Sequence, residues 1–365
     1  MSPAARRPLI ILLVLLAAVW VCAVVLLAGR MLDPVPPHTP EAAAPQPAPP
    51  QQPPAPEPVT VLFAPGDPRH PGGVAAAFRA LVDDARVSVA CAFYDLELQA
   101  AADALIACHR RGVRVGIVSD SDHKERAAVN ACVAAGIPVV FDNRGPFMHN
   151  KFCVVDGRFV WTGSTNMTEN CTLRNNNHVL IFDAPKLAAN FTAEFGEMFA
   201  DRLFGPDSPR NTPHPAAKAG DTEVECYFAP EDNVEREVVR LIAGARERVD
   251  FMAFSFTSPV IAKAMAERIS RGVPVRGLFE KRGASGKDSQ FDELAALGAQ
   301  VKKDGNPANM HHKAVIVDNR SVAAGSYNFS RNANERNDEN LVIIHDPKVA
   351  GSFTWELNRL FGAAN

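Results

Sequence analysis

One set of polar residues occurs twice in the 365-residue sequence at a constant spacing. The first copy reads MHNKFCVVDGRFVWTGSTN, from Met148 to Asn166, and the second reads MHHKAVIVDNRSVAAGSYN, from Met310 to Asn328. Each copy carries a histidine, then a lysine, an aspartate and a Gly-Ser-x-Asn run. Histidine can attack phosphorus or transfer a proton, and lysine and asparagine can donate hydrogen bonds to phosphate oxygens. The repeated pattern therefore indicates phosphodiester chemistry.

Five pairs of residues in the two copies are candidates for this chemistry. They are His149 and His311, Lys151 and Lys313, Asp156 and Asp318, Ser164 and Ser326, and Asn166 and Asn328. Two copies that face each other as in a symmetric dimer predict one shared site. We expect the lysines and asparagines to bind phosphate, so that the site needs no metal and no other cofactor. The aspartates are catalytic candidates and the serines phosphate-binding candidates, although turn or packing roles compete for both pairs.

The motifs lie within a longer repeat in which short β-branched runs alternate with helical stretches rich in alanine and leucine. Strands are predicted over Val87–Phe93, Val113–Val118, Val139–Phe141, Lys151–Val155 and Phe159–Thr162, and helices over Leu96–Arg111 and Glu125–Ala135, with matching runs in the second half. In this alignment Arg86 to Asp95 matches Arg248 to Thr257. Strands separated by helices predict an internally duplicated α/β sandwich with mixed sheets.

Composition divides the chain into five segments. Arg6 and Arg7 precede an uncharged run from Leu9 to Ala28, which is long enough to span a bilayer and predicts a signal anchor over 1–30. The catalytic body would then lie on the periplasmic or extracytoplasmic side of the inner membrane, or be secreted if the segment is cleaved. A Pro-rich linker follows over 31–58, and a second Pro-rich segment, 205–220, separates the first half, 59–204, from the second, 221–365.

The overall charge places limits on the partners of the protein. The formal net charge of −3 disfavours a protein that coats nucleic acid, so any phosphate-binding charge must be local. Seven cysteines are present, and none forms a Cys-x-x-Cys metal pattern. Cys108 and Cys132 are the candidate pair for a disulfide if the compartment is oxidising.

These motifs identify a resemblance to the phospholipase D superfamily, whose signature is a paired His-x-Lys-x4-Asp with Gly-Ser-x-Asn. The resemblance covers Val61 to the C-terminus, and the tail NFSRNANERNDENLVII, from Asn328 to Ile344, resembles the small endonuclease and cardiolipin-hydrolase branch. It implies a single site at which one histidine forms a phosphohistidine and the other acts as general acid and base. In the family the first-half histidine is often the nucleophile, which corresponds to His149.

A difference between the halves bears on these roles. Glu339 follows His311 at the spacing where the family places a carboxylate beside the catalytic imidazole, and Asn177 occupies the equivalent position after His149. A carboxylate raises the pKa of a histidine, whereas an amide does not. We therefore expect Glu339 to pair with His311 and make it the general acid, with His149 left neutral for attack.

The substrate is less strongly determined by the sequence. A membrane anchor and a modest net charge favour a phospholipid at a membrane surface, and the tail and small size favour a metal-independent endonuclease acting on DNA or RNA. A catalytically inactive relative that binds phosphorylated ligands is the third alternative. Because both motifs lie in one chain, a monomer is sufficient for one active site.

Overall fold

A computed structural model describes residues 57–364. The predicted membrane anchor over 1–30 lies outside this range, as does the linker over 31–58 except for its last two residues. Within the described part of the chain, no helix is both long and apolar enough to cross a membrane.

The first half forms a seven-stranded mixed sheet. Its strands are β1 (Val59–Ala64), β2 (Ser88–Phe93), β3 (Arg114–Ser119), β4 (Val139–Phe141), β5 (Lys151–Val155), β6 (Phe159–Gly163) and β7 (Asn177–Asp183). Their order is β1-β7-β6-β5-β2-β3-β4. Strands β2, β3 and β4 are parallel because helices connect them, and the other neighbours are antiparallel.

The second half repeats this sheet with one additional strand. Its strands are β8 (Ala216–Ala219), β9 (Thr222–Ala229), β10 (Val249–Ala253), β11 (Val275–Phe279), β12 (Gln300–Lys303), β13 (Lys313–Val317), β14 (Ser321–Gly325) and β15 (Glu339–His345). Their order, β12-β11-β10-β13-β14-β15-β9-β8, matches that of the first sheet from β4 to β1, with β8 added at the edge. Strands β5 and β13, which begin at the motif lysines, are therefore equivalent interior strands.

Ten α-helices cover the sheets in residues 57–364. They are α1 (Gly73–Asp83), α2 (Gln99–Arg110), α3 (Ala127–Ala134), α4 (Glu169–Leu173), α5 (Pro185–Gly196), α6 (Val234–Ala243), α7 (Pro259–Ser270), α8 (Phe291–Ala296), α9 (Arg331–Glu335) and α10 (Pro347–Gly362). Helices α1 to α3 pack on the outer face of the first sheet, and α6 to α8 pack on the outer face of the second.

A third apolar core joins the two halves. It contains the inner faces of both sheets together with one face of α5 and one of α10. Phe191 of α5 and Phe353 of α10 are both fully buried in it. Because this core draws on both halves, they form one compact body with equivalent strands facing each other across a pseudo-twofold axis.

The predicted α/β architecture is confirmed, and the predicted strands and helices of the first half agree with β2 to β6, α2 and α3 to within a few residues. The segment 205–220 is more ordered than a linker, since it contains β8, which pairs with β9. Cys108 and Cys132 are free buried thiols, as are the other cysteines of the described residues.

Candidate active site

Both motif histidines lie at the same end of the two interior strands. Strand β5 begins at Lys151, two residues after His149. Strand β13 begins at Lys313, two residues after His311. Alternate residues of an extended chain share a face, so each histidine lies on the same side as its lysine. The histidines are 7% exposed and the lysines 1%, which places all four in a nearly closed site.

The two halves exchange backbone contacts beside these histidines. An isolated β-bridge joins Met148 to Asp338, and the amide N of His149 donates to the carbonyl of Asp338 at 2.9 Å. The equivalent bridge joins Asn176 to Met310, with His311 N donating to the Asn176 carbonyl at 2.8 Å. The segment that carries each histidine is therefore held against the start of the last strand of the opposite half.

As a result of this exchange, each imidazole ring has its side-chain hydrogen-bond partner in the opposite half of the chain. Nδ1 of His149 lies 2.7 Å from Oε2 of Glu339, and Nδ1 of His311 lies 2.9 Å from Oδ1 of Asn177. The predicted pairing of Glu339 with His311 is thus wrong. Sequence spacing places Glu339 in the same half as His311, but β15 begins beside the histidine of the other half.

The motif serines support these partners and do not face the site. Oγ of Ser326 donates to Oε2 of Glu339 at 2.7 Å, and Oγ of Ser164 donates to Oδ1 of Asn177 at 2.9 Å. Each hydroxyl also accepts a backbone N–H, and both serines are fully buried. Their predicted phosphate-binding role is replaced by a positioning role, because both hydroxyls are already engaged.

The partners determine which imidazole nitrogen remains free. The amide of Asn177 is oriented by its own donor, since Nδ2 donates to the carbonyl of Cys171 at 3.0 Å. Oδ1 of Asn177 must then accept the proton on Nδ1 of His311. An ionised Glu339 accepts from His149 in the same way. Both rings therefore present Nε2 for chemistry.

Each motif lysine is held between a carbonyl and an aromatic ring. Lys151 Nζ donates to the His149 carbonyl at 2.6 Å, and Lys313 Nζ donates to the His311 carbonyl at 2.8 Å. Nζ of Lys151 lies 4.9 Å from the ring centroid of Tyr94, and Nζ of Lys313 lies 4.7 Å from that of Phe254. These cation–π contacts fix the ammonium groups without neutralising them. Sequence reasoning missed both rings, which follow the ends of β2 and β10.

The site has an excess of positive charge. Burial lowers the pKa of Lys151 to about 8 and lowers that of Lys313 well below its usual range, with repulsion between the two lysines adding to the effect on Lys313. Burial and the same lysines hold the pKa of His149 well below its usual value. Burial raises the pKa of Glu339 to about 7 against the opposing field of Lys151. One carboxylate between two ammonium groups leaves a site suited to a further anion.

The motif asparagines are the remaining unsatisfied groups. Oδ1 of Asn166 and Oδ1 of Asn328 are both buried, and neither side chain forms a hydrogen bond within residues 57–364. Buried amides normally have partners. Two orphaned amides at equivalent positions therefore agree with a role in holding a bound molecule.

The motif aspartates lie far from the histidines. Asp156 follows the opposite end of β5, about 17 Å from Lys151 at the rise of an extended strand. Its carboxylate accepts the backbone N–H groups of Arg86, Val87 and Ser88 at 2.9, 2.7 and 2.9 Å. Asp318 makes the same set of contacts before β10. The geometry favours the turn role over the catalytic role. The prediction that Asp156 and Asp318 are catalytic is therefore corrected.

Comparison with known proteins places this geometry in a family. The family described as "Cardiolipin synthase, PLD-like domain" matches residues 78–199 and again residues 238–361. A mitochondrial cardiolipin hydrolase of Chlamydomonas reinhardtii is 27% identical over 161 residues, which are 44% of this chain and 72% of that protein. A phospholipase D of Rickettsia conorii (strain ATCC VR-613 / Malish 7) is 32% identical over 140 residues, or 38% of this chain and 70% of that protein.

A solved structure has the same fold over most of the chain. The phosphatidylserine synthase of Haemophilus influenzae Rd KW20 superposes with a TM-score of 0.65 at 13% identity, covering 85% of this chain and 87% of that one. The superfamily prediction and the prediction of a phosphodiesterase are both confirmed by these comparisons. With the family domain matched twice and both histidine-lysine motifs facing one site, the chain belongs to the phospholipase D-like family of phosphodiester-cleaving enzymes.

Proposed function

We propose that this protein is a membrane-anchored phospholipase D-type enzyme that hydrolyses phospholipid head-group phosphodiesters through a phosphohistidine. The observation that carries the proposal is the set of four buried donor side chains beside the two histidines. Lys151 and Lys313 are each 1% exposed, and the side chains of Asn166 and Asn328 form no hydrogen bond within residues 57–364. A phosphodiester bound there would receive donors from all four side chains.

In the first step Nε2 of His149 attacks phosphorus, and the bond from phosphorus to the leaving oxygen breaks. His311 gives its Nε2 proton to that oxygen, so that the leaving group departs as an alcohol. The imidazole of His149 now carries phosphate on Nε2 and a proton on Nδ1, which makes it a cation. Glu339 accepts that proton's hydrogen bond at 2.7 Å and stabilises the cation.

In the second step water replaces the alcohol. Nε2 of His311 takes a proton from the water, whose oxygen attacks phosphorus, and the bond from phosphorus to Nε2 of His149 breaks. The lone pair returns to His149, and His311 again holds the proton needed for the next cycle. An alcohol in place of water would give transfer by the same route.

The crossed partners supply a new reason for the assignment of His149 as nucleophile. The nucleophile is a cation throughout the life of the intermediate, and Glu339 is the only carboxylate within the described residues that contacts either imidazole of the site. The general acid must instead give up its proton easily. Asn177 orients His311 without a charge that would hold the proton.

The rim of the site favours a lipid over a nucleic acid. Phe147 is 39% exposed, and its ring packs against Tyr94 beside His149. Tyr94 in turn contacts the ring of His149. An exposed aromatic ring beside the site suits the glycerol and acyl portions of a phospholipid.

Hydrolysis by the full chain, measured both with and without excess chelator, tests the substrate. One reaction offers vesicles that contain cardiolipin and the other offers single-stranded DNA, each with a His149→Ala control. Lipid cleavage that the substitution abolishes is the expected result, and trapped phosphate should map to His149. Nicked DNA with intact lipid would assign the enzyme to the nucleases, and folded protein inactive on both would favour a binding role.

We further propose that residues 1–30 anchor the protein in the inner membrane with residues 57–364 on the periplasmic side. The uncharged run from Leu9 to Ala28 after Arg6 and Arg7 supports this orientation. Membrane fractionation of the full chain and of a chain lacking 1–30 tests it. Equal recovery of both in the soluble fraction would contradict the anchor.

A further inference from the structure

A group of three glutamates lies at the junction of the two halves, away from the reacting histidines. Glu194 is in the last turn of α5, Glu197 begins the helical turn that follows, and Glu231 follows β9 of the second half. One carboxylate oxygen of each lies within 4.8 Å of the others. Glu194 and Glu197 are each 3% exposed, so this glutamate cluster is largely withdrawn from water.

Several oxygens around the glutamate cluster have no partner. Oε1 of Glu197 and Oε2 of Glu231 are buried and form no hydrogen bond. Ser208 is 9% exposed, and its hydroxyl lies near enough to Glu197 to lower the pKa of that carboxyl, yet it also forms no hydrogen bond of normal geometry. Buried oxygens with unused lone pairs around one point are suited to a cation.

The pseudo-twofold axis supplies an internal comparison. Glu356 of α10 is the equivalent of Glu194, and it is fully buried. Nε and Nη2 of Arg359 each donate to Glu356 at 2.8 Å. The residue equivalent to Arg359 in the first half is Glu197. One half supplies a guanidinium to its buried glutamate, whereas the other half supplies a second carboxylate at the equivalent position.

No described residue replaces this cation. No salt bridge within residues 57–364 involves any of the three glutamates, and nearby Arg210 pairs with Asp232 at 3.2 Å. Three carboxylates held together without a counter-charge are costly unless they take up protons or a cation.

From this geometry we infer that Glu194, Glu197 and Glu231 bind one divalent cation that joins the two halves. Carboxylate and hydroxyl oxygens, with no histidine or cysteine among them, select a hard ion such as Ca²⁺, Mg²⁺ or Mn²⁺. The ion stands where the guanidinium of Arg359 stands in the other half. It has no part in the reaction.

The glutamate cluster is connected to the site through Asn150, the neighbour of His149. Nδ2 of Asn150 donates to Oε1 of Glu194 at 2.8 Å, and its Oδ1 accepts from Nδ2 of Asn340, the neighbour of Glu339, at 2.7 Å. A cation on Glu194 therefore fixes the acceptor of an amide bridge between the halves. The bound ion stabilises the junction on which the crossed histidine contacts depend.

Cation binding by the full chain tests the inference. Protein stripped with chelator is titrated separately with Ca²⁺, Mg²⁺ and Mn²⁺ by calorimetry, and thermal unfolding is followed with and without each ion. We expect one ion per chain and a Tm that rises by about 3 °C or more at a hundredfold excess over Kd. No saturable binding of any of the three ions and an unchanged Tm would overturn the inference and leave the glutamate cluster to hold protons.

Two substitutions at one position sharpen the test. Glu197→Arg copies the arrangement around Glu356, and we expect it to abolish ion binding while keeping the Tm in chelator at or above that of the unsubstituted protein. Glu197→Gln removes one ligand charge and should lower affinity at least tenfold, which keeps the test decisive if the arginine does not fold. Glu335→Gln, an exposed carboxylate, is the control and should bind normally. Unchanged affinity in Glu197→Gln would refute the site.

These readouts are independent of the proposed reaction. Binding and Tm can be measured equally well on His149→Ala, in which catalysis is removed. Failure to cleave lipid would leave the cation site standing, and failure to bind a cation would leave the proposed reaction standing.

Discussion

Replacement of Glu339 by glutamine is expected to lower kcat/KM for phosphodiester cleavage by about two to three powers of ten. Glutamine keeps the size of the side chain and can still accept from Nδ1 of His149, so the substitution removes the charge and keeps this contact. It loses the weaker acceptor contact of Oε1, to which Nδ2 of Asn337 donates at 3.3 Å. Ser326 can still donate to the amide oxygen. What is lost is the carboxylate that opposes the positive charge of the phosphorylated imidazole.

The magnitude follows from the geometry of the pair. Nδ1 and Oε2 are 2.7 Å apart, and the charges are spread over both groups, so the effective separation is about 4 Å. At an effective dielectric constant of about 20 the interaction is about 4 kcal/mol. Glu339, whose pKa is raised to about 7 by burial, is half protonated at neutral pH, which costs about 0.4 kcal/mol and leaves about 3.6 kcal/mol, or between two and three powers of ten.

The pH profile provides a second readout for Glu339→Gln. Only ionised Glu339 opposes the positive charge of the phosphorylated imidazole, so kcat/KM should rise as pH increases through about 7 and this limb should be absent in the variant. Glu225→Gln is the matched control, because Oε1 of Glu225 lies 2.7 Å from Nε2 of His345 outside the site. Its profile should match that of the unsubstituted protein. A Glu339→Gln enzyme within threefold of normal activity that retains the limb would refute the crossed-partner reasoning.

Three further predictions concern the same body. Asn177→Asp places a carboxylate beside Nδ1 of His311 and should move the alkaline limb of kcat upward by about 1 to 2 pH units, whereas an unchanged limb would argue against His311 as the acid. Asp156→Asn keeps the left-handed turn but weakens three N–H contacts, so denaturant unfolding should show a loss of about 1–2 kcal/mol with kcat within twofold; a large fall in kcat at unchanged stability would restore a catalytic role. Burial raises the pKa of Asp338 to about 7, so this group binds more protons in the folded state than in the unfolded state, and the fall in Tm between about pH 4 and 7 in chelator should be smaller in Asp338→Asn than in the unsubstituted protein; an identical pH dependence of Tm in the two proteins would contradict this.

The sequence was sufficient to predict which histidines and lysines come together at the candidate site. His149, Lys151 and their second-half equivalents lie at one spacing in both halves, and apolar runs on either side of them have the composition of buried strands. A duplicated pattern of this kind predicts one shared site where the equivalent residues of the two halves face each other, as His149 and His311 do, although Asp156 and Asp318 belong to the same pattern and lie far from the site. The two sheets and their helices followed from the same alternation.

The partners of these side chains could not be predicted in the same way. The sequence gives the number of residues between His311 and Glu339. It does not show whether Glu339, at the start of β15, contacts the histidine of its own half or that of the other half. That contact is decided by the β-bridges between Met148 and Asp338 and between Asn176 and Met310. A β-bridge between segments far apart in sequence cannot be predicted from any local sequence pattern.

The alignment of the repeats failed for a related reason. Matching Arg86 with Arg248 gives good similarity, but Asp156 N bonds the carbonyl of Ser88, and Asp318 N bonds that of Arg248. Ser88 and Arg248 are thus equivalent, two positions from the predicted alignment. A shift of two residues leaves the buried face of a strand unchanged, so hydrophobic patterning cannot detect it. The correct register makes Tyr94 and Phe254 equivalent and would have revealed the aromatic supports of the lysines.

The crossed partners have a consequence for how such a site can evolve. In a dimer of two identical halves, the residue beside each imidazole is encoded once, so any change there alters both histidines together. Fusion of the halves into one chain gives the two positions separate codons, and each then acts on the histidine of the other half. This chain has glutamate at one position and asparagine at the other. Single substitutions at these two positions can therefore give His149 and His311 different roles. Neither histidine motif has to change.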